Sequence, residues 1–377
     1  MKIGQISHLY RPHLGGIENY VYRLKNSLEK RGHEATVYTT DLSIRGTTER
    51  EKNTFYCKTN FVLYRNPFSF ELIRRLKESR EDIYHLHGPW FFSSLFATKL
   101  LKGQPKVMTV HGARIEGWGP TVSVLDKLYR PFARYILRNM QMVIALTKGE
   151  RGYLLHRFKL PHQRVVVIPN GIEIEKFAFD RGAVEEFIER NSLSDDSFKV
   201  LYVGRFVPQK NPDKLISAVK RMRGQNVEAI LIGEGPSSYI AKLKEVSDER
   251  VHILTKLRFE EIVAAYHVSD LFTLLSPSEG LPTVLLEAMV CGLPILTTPV
   301  GGIPDVVTPE INGLFLGLPV KEEDVASKID RFISMNASDM DRMRKANAEK
   351  IKTCYNWEIV ADKILDVYDQ VLEVRRG

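Results

Sequence analysis

Short apolar runs of strand length alternate with helical periodicity twice along this chain, and that alternation leaves few folds open. In the first half the strand-like runs are Ile3–Ser7, Ala35–Thr40, Asp82–His85, Val107–Val110, Met142–Ala145 and Val165–Ile168. Helical patterns fall between them at about 17–30, 70–80, 121–138 and 148–158. The alternation breaks at IPNGI (168–172), where Pro169, Asn170 and Gly171 form turns, and a charged stretch follows to about Phe198. It then restarts with runs at Lys199–Gly204, Glu228–Gly233, Val251–Leu254, Leu271–Leu275 and Ile295–Thr297, again separated by helical segments. A helical tail covers about 322–334, 337–353 and 357–374. Repeated strand–helix units imply parallel sheets covered on both faces. The expectation is an α/β chain of two Rossmann-like domains, 1–169 and 198–356, facing each other across a cleft and joined by a linker at 170–197.

A length of 377 residues, 44% hydrophobic and 27% charged, suits two soluble domains. The opening MKIGQIS enters a strand pattern directly, so no leader peptide is expected. The longest apolar stretch, Trp90 to Leu101, is too short to span a bilayer and carries Lys99. Cys57, Cys291 and Cys354 are odd in number and far apart, which argues against a disulfide framework or zinc site and fits a reducing cytoplasm. Charge is unevenly placed: residues 1–180 hold 29 Lys and Arg against 16 Asp and Glu, or +13, and residues 181–377 hold 25 against 30, or −5. The first half is therefore expected to meet something anionic. Its basic residues lack nucleic-acid-binding signatures, which leaves a membrane surface or a phosphate-bearing acceptor.

Ligands of open α/β sheets bind beyond the carboxyl ends of the strands, so the residues just after each strand matter most. Gly15 and Gly16 follow the first strand and precede a helix expected near Ile17; the G-x-G-x-x-G dinucleotide fingerprint is absent. HLHGPW (85–90) and TVHGAR (109–114) bring His85, His87 and His111 to strand ends. No carboxylate stands at fixed spacing, so polar histidines are expected rather than a metal site. Trp90 reads as core, with ring stacking on an acceptor as the other reading. In the second half VGRFVPQKNP (203–212) places Arg205 and Lys210 between a buried strand and a helix start, where two cations and free N–H groups suit a diphosphate. The GEGP turn (233–236) adds glycines where backbone could approach a ligand.

SEGLPTVLLEAMVCGLPI (278–295) carries two glutamates eight positions apart. Pro282 suits the first turn of a helix and Gly292 its end. Glu279 then lies in the loop before the helix, and Glu287 lies within it among apolar neighbours. A buried carboxylate needs donors. Ribose hydroxyls would serve, as would an internal Arg or Lys.

Taken in order, GGIENY, HLHG, TVHG, IPNGI, VGRFVPQKN, IGEGP, SEGLPTVLLEAMVCGLPI and GGIPDVV resemble the family-4 glycosyltransferases, retaining enzymes of the GT-B fold. The resemblance implies that Glu287 holds the donor ribose, Glu279 contacts the transferred sugar, and Arg205 and Lys210 neutralise the diphosphate. The loop of Gly280, Leu281, Pro282 and Thr283 and the helix start after it would offer backbone N–H groups, from every residue but the proline, to sugar and phosphate. Gly16 would approach the phosphate from the other domain, and His111 would contact the sugar and support positive charge at its anomeric carbon. Gly15, His87 and Trp90 remain candidates on the acceptor side. The final helix, about 357–377, would pack back on the first domain.

The implied reaction is metal-independent transfer of a hexose or hexosamine by same-face substitution, with the leaving phosphate taking the acceptor's proton and no further cofactor. Some members of the family read guanine with an acidic residue after the third strand of the second domain. Here Lys256 and Leu257 stand there, and their backbone suits uracil, so a UDP-sugar is expected rather than a GDP-sugar. The acceptor, a sugar, glycan or lipid-linked molecule, is expected on the basic first domain. Its segments FELIRRLKESR (70–80) and LDKLYRPFARYILR (125–138) are read either as faces that lie on an anionic membrane or as solvated faces, so the expected location is cytoplasmic, with a peripheral place on the inner membrane face under the first reading. A nucleotide-sugar epimerase of the same fold, or a nucleotide-sugar-binding protein without turnover, are the alternative readings.

Overall fold

The computed structural model describes residues 1–13, 15–44, 46–47, 49–63, 66–112, 120–222, 224 and 226–376, with backbone alone at 120–126 and 375–376. Ala113 and Arg114 of TVHGAR lie outside the described residues. The chain forms two compact units, Met1–Gly171 with Trp357–Gly377, and Ile172–Asn356.

The strands of the first unit are β1 (Lys2–Ile6), β2 (Glu34–Thr40), β3 (Thr54–Cys57), β4 (Phe61–Leu63), β5 (Asn66–Phe68), β6 (Ile83–His87), β7 (Lys106–Val110), β8 (Met142–Ala145) and β9 (Val165–Val167). Its helices are α1 (Gly16–Lys30), α2 (Phe70–Glu78), α3 (Phe92–Leu100), α4 (Pro120–Arg138) and α5 (Lys148–Phe158). Among the described residues seven strands form one parallel sheet in the order β3-β2-β1-β6-β7-β8-β9. Growth to one side of β1 and then to the other puts the reversal of strand order between β1 and β6, where doubly wound sheets open their ligand crevice. Outside this sheet β4 pairs antiparallel with β5.

The second unit opens with α6 (Arg181–Arg190), β10 (Phe198–Val203), α7 (Pro212–Arg221), β11 (Val227–Ile232), α8 (Ser237–Val246), β12 (Val251–Leu254) and α9 (Phe259–Val268). It continues with β13 (Leu271–Leu274), α10 (Thr283–Val290), β14 (Ile295–Thr297), α11 (Ile303–Val306), β15 (Gly313–Phe315), α12 (Glu322–Ile333) and α13 (Ala337–Lys350). Six parallel strands run in the order β12-β11-β10-β13-β14-β15 among the described residues. Here the order reverses between β10 and β13, the strands that lead into the Arg205 and Glu279 loops.

The last helix, α14 (Trp357–Arg376), belongs to the first unit. Its Val360, Ile364, Val367, Tyr368 and Val371 are buried with Tyr20, Leu24 and Leu28 of α1. Burying each such side chain contributes roughly 1.5–3 kcal/mol. Arg31, just past α1, pairs with Glu358 and Asp362 of α14 at 2.8 and 2.7 Å.

Residues 172–197, expected as a connector, are instead part of the second unit. Ile172, Phe177, Phe187 and Leu193 are buried in one cluster with Tyr266 and Met289. Asp180 caps α6 by accepting from the Ala183 N–H at 3.1 Å. Because Phe187 is the one fully buried side chain of α6, with Arg181, Glu185, Glu186 and Glu189 around it, the segment reads as polar although it is anchored.

Candidate active site

In the second unit the reversal of strand order brings the loop after β10 beside the loop after β13. The Lys210 ammonium donates to the Glu279 carboxylate, and both side chains are largely buried. Asn211, in the left-handed region at φ 54°, ties the same loops together through its Nδ2, which donates to the Leu275 carbonyl at 2.8 Å. An ammonium carries three protons, so Lys210 can hold Glu279 and still donate to an anion. Arg205 is exposed, and its guanidinium has no hydrogen-bond or ion-pair partner among the described residues. Two cations, one committed to the loop and one unpaired, thus stand at the crevice end of the sheet.

Helix α10 starts at Thr283, with Pro282 as its N-cap rather than inside its first turn. A proline has no side chain able to cap, so the N-terminal end of α10 keeps its partial positive charge for an anion. Glu287 lies in the helix with Leu285, Leu286, Ala288 and Met289 buried around it. Its Oε2 accepts from the Tyr266 phenol of α9 at 3.0 Å. Burial and the Glu287 carboxylate push the Tyr266 phenol far above its ordinary range, which keeps it protonated and donating. The same two causes push the Cys291 thiol up to about 12, so it stays neutral one turn further on.

Glycines fix the loops that carry these groups. Gly301 adopts φ +58°, and a Cβ there would stand 1.9 Å from the Glu279 carbonyl oxygen and 2.6 Å from that of Gly280. The neighbouring Gly302 N–H donates to the Gly280 carbonyl at 2.6 Å. The GGIPDVV segment therefore braces the Glu279–Gly280 backbone, a role its sequence did not disclose. The GEGP glycines pack closely on the backbone of the Arg205 loop. A Cβ on Gly233 would lie 1.8 Å from the Gly204 carbonyl oxygen and one on Gly235 would lie 2.1 Å from that of Phe206, so they hold the Arg205 loop.

Lys256 is exposed with φ 56°, and its N–H already donates to the Glu234 carboxylate at 3.0 Å. The expected backbone contacts to a base are thereby narrowed to its carbonyl and to Leu257. Gly280 and Thr283 are exposed, and Leu281 and Pro282 half-buried, in the stretch between Glu279 and the helix.

In the first unit the histidines are wired into the sheet. His85 Nδ1 meets the Tyr368 phenol at 2.6 Å and its Nε2 meets the Thr109 hydroxyl at 2.8 Å, so His85 belongs to the packing of α14. His87 Nε2 faces Gln5 Oε1 at 3.2 Å, and His87 Nδ1 faces His111 Nε2 at 3.2 Å. With the amide oxygen of Gln5 on this side, His87 Nε2 carries the proton, its Nδ1 accepts from His111, and His111 Nδ1 is left with a lone pair. Burial draws His85 and His111 down to about 3 and His87 well below its usual range, so all three stay neutral at neutral pH. Gln5, in the buried strand β1, thus sets the tautomer, and the sequence reading missed it. Both nitrogens of His85 and of His87 are engaged, and no group of three or more metal-ligating side chains occurs among the described residues.

Gly15 is the N-cap of α1 and Gly16 its first residue, one position before the expected start. A Cβ at Gly16 would meet open space, whereas one at Gly15 would fall 2.2 Å from the Glu18 carboxylate, which is itself buried in the first turn of α1. Trp90 packs at 6.2 Å between ring centroids on both Tyr129 and Phe158, so it borders the core.

The family profile described as "Glycosyl transferases group 1" matches residues 183–350, and that described as "Glycosyltransferase Family 4" matches residues 14–176. The phosphatidylinositol N-acetylglucosaminyltransferase gpi3 subunit of Schizosaccharomyces pombe is 26% identical over 97% of this chain and 80% of its own length. The UDP-Gal:alpha-D-GlcNAc-diphosphoundecaprenol alpha-1,3-galactosyltransferase of Escherichia coli is 28% identical over 79% of this chain and 77% of its own. The crystal structure of Anabaena Alr3699/HepE in complex with UDP superposes with a TM-score of 0.74 at 17% identity, covering 98% of this chain and 100% of that one. Two parallel α/β units of this topology and the matched profiles define a GT-B glycosyltransferase, an enzyme of the hexosyltransferase class. Within that class the chain belongs to glycosyltransferase family 4.

Proposed function

We propose that this enzyme moves a hexose or hexosamine, with retention of configuration, from a UDP-sugar rather than a GDP-sugar to a lipid-linked or glycan acceptor, without a metal cofactor. The observation that carries the reading is the Lys210–Glu279 pair at the reversal of strand order, with unpartnered Arg205 beside it and Glu287 inside α10. Arg205, Lys210 and the uncapped start of α10 are preorganised positive charge for a diphosphate, the task a divalent ion would otherwise perform. Glu287, whose carboxylate accepts from Tyr266, is the acceptor for ribose hydroxyls. Glu279 is held by Lys210 near the transferred sugar and acts as a positioning carboxylate rather than a covalent nucleophile.

In the step itself the bond from the anomeric carbon to phosphate breaks as the acceptor oxygen bonds to that carbon from the same face. The departing phosphate oxygen takes the acceptor's proton, and UDP leaves. His111, neutral with its Nδ1 lone pair available, supports the developing positive charge without repelling it. The relatives named for phosphatidylinositol and diphosphoundecaprenol acceptors support a lipid-linked acceptor here. The basic balance of the first unit supports a peripheral location on the inner membrane face. No helix among the described residues is long and apolar enough to cross a membrane.

Calorimetric titration with UDP tests the donor site. Loss of charge-assisted ribose contacts in Glu287→Ala should weaken UDP by roughly ten- to a hundredfold, from about 1.5–3 kcal/mol. Lys210→Ala should weaken UDP and slow turnover. Wild-type affinity and rate in both variants would remove the assignment.

A further inference from the structure

We propose that the β4–β5 pair, with Phe55 and Phe70 beside it, is an aromatic wedge that seats the enzyme on an anionic bilayer. The proposal rests on the lipid-linked reading above and names the surface it requires. Of the 14 exposed large apolar side chains among the described residues, five fall between Phe55 and Phe70, and three more (Leu128, Phe132 and Tyr135) lie on α4. Phe61, Val62, Leu63 and Phe70 are 51%, 43%, 50% and 63% exposed, too much apolar surface in 10 residues to be scattered chance exposure.

These side chains are organised. Phe61 stacks on Phe68 at 4.6 Å, and Phe68 stands edge-on to Phe70 at 4.9 Å and to Phe96 of α3 at 5.2 Å. The wedge is thus braced from behind while its tips remain open. Asn60 and Asn66 fix the frame: Asn60 accepts from the Phe70 N–H at 2.8 Å, and Asn66 bonds the Trp90 carbonyl and the Phe92 N–H at 3.0 Å. Helix α3 contacts β5, α2 and α4, so the wedge and the apolar face of α4 flank one helix.

Charge selects the occupant. Lys58, Arg74 and Lys77 are exposed around the wedge, and the Arg75 guanidinium lies 4.8 Å over the ring of Phe55. Glu71, the nearest acidic group of α2, is engaged by Arg75 at 3.7 Å and by the Lys58 N–H at 2.9 Å. On α4, Lys127, Arg130, Arg134 and Arg138 accompany the exposed apolar side chains. Aromatic tips ringed by cations match the interface of an anionic bilayer, where rings enter the acyl boundary and cations meet phosphates. A second copy of this chain would bring the same cations against themselves.

The experiment is co-sedimentation with vesicles of phosphatidylcholine mixed with phosphatidylglycerol, against phosphatidylcholine alone. Wild type should bind the anionic vesicles, and binding should fade with salt. Phe61→Ser with Leu63→Ser should weaken binding by roughly a hundredfold, about tenfold for each side chain. Arg74→Glu with Lys77→Glu should abolish the preference for anionic lipid. In both double variants UDP affinity and the rate of UDP-sugar hydrolysis in solution should stay at wild-type values, so loss of vesicle binding with an intact donor site isolates this proposal from the donor reading. Wild-type vesicle binding by the first double variant, equal binding to neutral vesicles, or a dimer in sedimentation that Phe61→Ser dissolves would overturn it.

Discussion

Replacing Gly301 by alanine should disable the Glu279 loop by displacing its backbone. At φ +58° an alanine is strained by about 1–3 kcal/mol. Its Cβ would also fall 1.9 Å from the Glu279 carbonyl oxygen, against an ordinary contact of 3.4 Å, so backbone must yield by more than an ångström. The Gly302 N–H bond to Gly280, at 2.6 Å, would be stretched by the same movement. Misplacing a reacting group by about 1 Å costs on the order of a hundredfold in rate, so kcat/KM for UDP release from a UDP-sugar should fall by roughly that factor. Thermal unfolding should shift down by only about 2–4 °C per kcal/mol, leaving a folded protein to assay. Gly317→Ala is the control, because a Cβ there meets nothing within 4 Å and should leave both readouts alone. A Gly301→Ala enzyme with wild-type kcat and KM would refute the bracing argument.

Tyr266→Phe removes the phenol that donates to Glu287 at 3.0 Å. It should raise the donor KM severalfold while costing about 1–3 kcal/mol of stability, and it should harm UDP binding less than Glu287→Ala does in the same titration. Equal losses in both would mean that Glu287 is a structural partner of Tyr266 rather than a ribose contact. Burial draws His8, His85 and His111 from 6.5 down to about 3. The unfolded chain then takes up protons that the folded one refuses, so stability is full above about pH 6.5 and lost as pH falls through that window. His8→Phe keeps a ring on Phe91, which His8 stacks at 3.6 Å, and should flatten the fall measured by urea unfolding by about 1.4 kcal/mol per pH unit. An unchanged slope would contradict the burial account.

Much of the fold was legible because parallel strands are buried on both faces and read as apolar runs such as Val107–Val110 and Leu271–Leu274. The segment 170–197 reads as a connector because α6 fully buries Phe187 alone and charge dominates its window. The wedge is hidden from a sequence pattern because β4 and β5 have three residues each and β4 exposes all three of its apolar side chains. At the site, Arg205, Lys210, Glu279 and Glu287 could be picked out because charge is unusual after a buried strand or within an apolar helix. Their supports could not. Gln5 looks like any polar residue in MKIGQIS, and Tyr266 like any core aromatic, until sheet register and helix packing bring them to His87 and Glu287. Gly301 gave no local sign of its contact, since Glu279 is far from it in sequence and the approach exists only in the folded loop.

The central claim is retaining hexosyl transfer from a UDP-sugar by this chain's own cations and carboxylates. Proton NMR of a UDP-hexose incubated with the enzyme and a chelator, read before mutarotation, tests it most directly. The account predicts release of UDP with the sugar appearing first as the α-anomer, and loss of both signals in Lys210→Ala. Sugar appearing first as the β-anomer, a UDP-sugar isomerised without UDP release, or no reaction at all would contradict it.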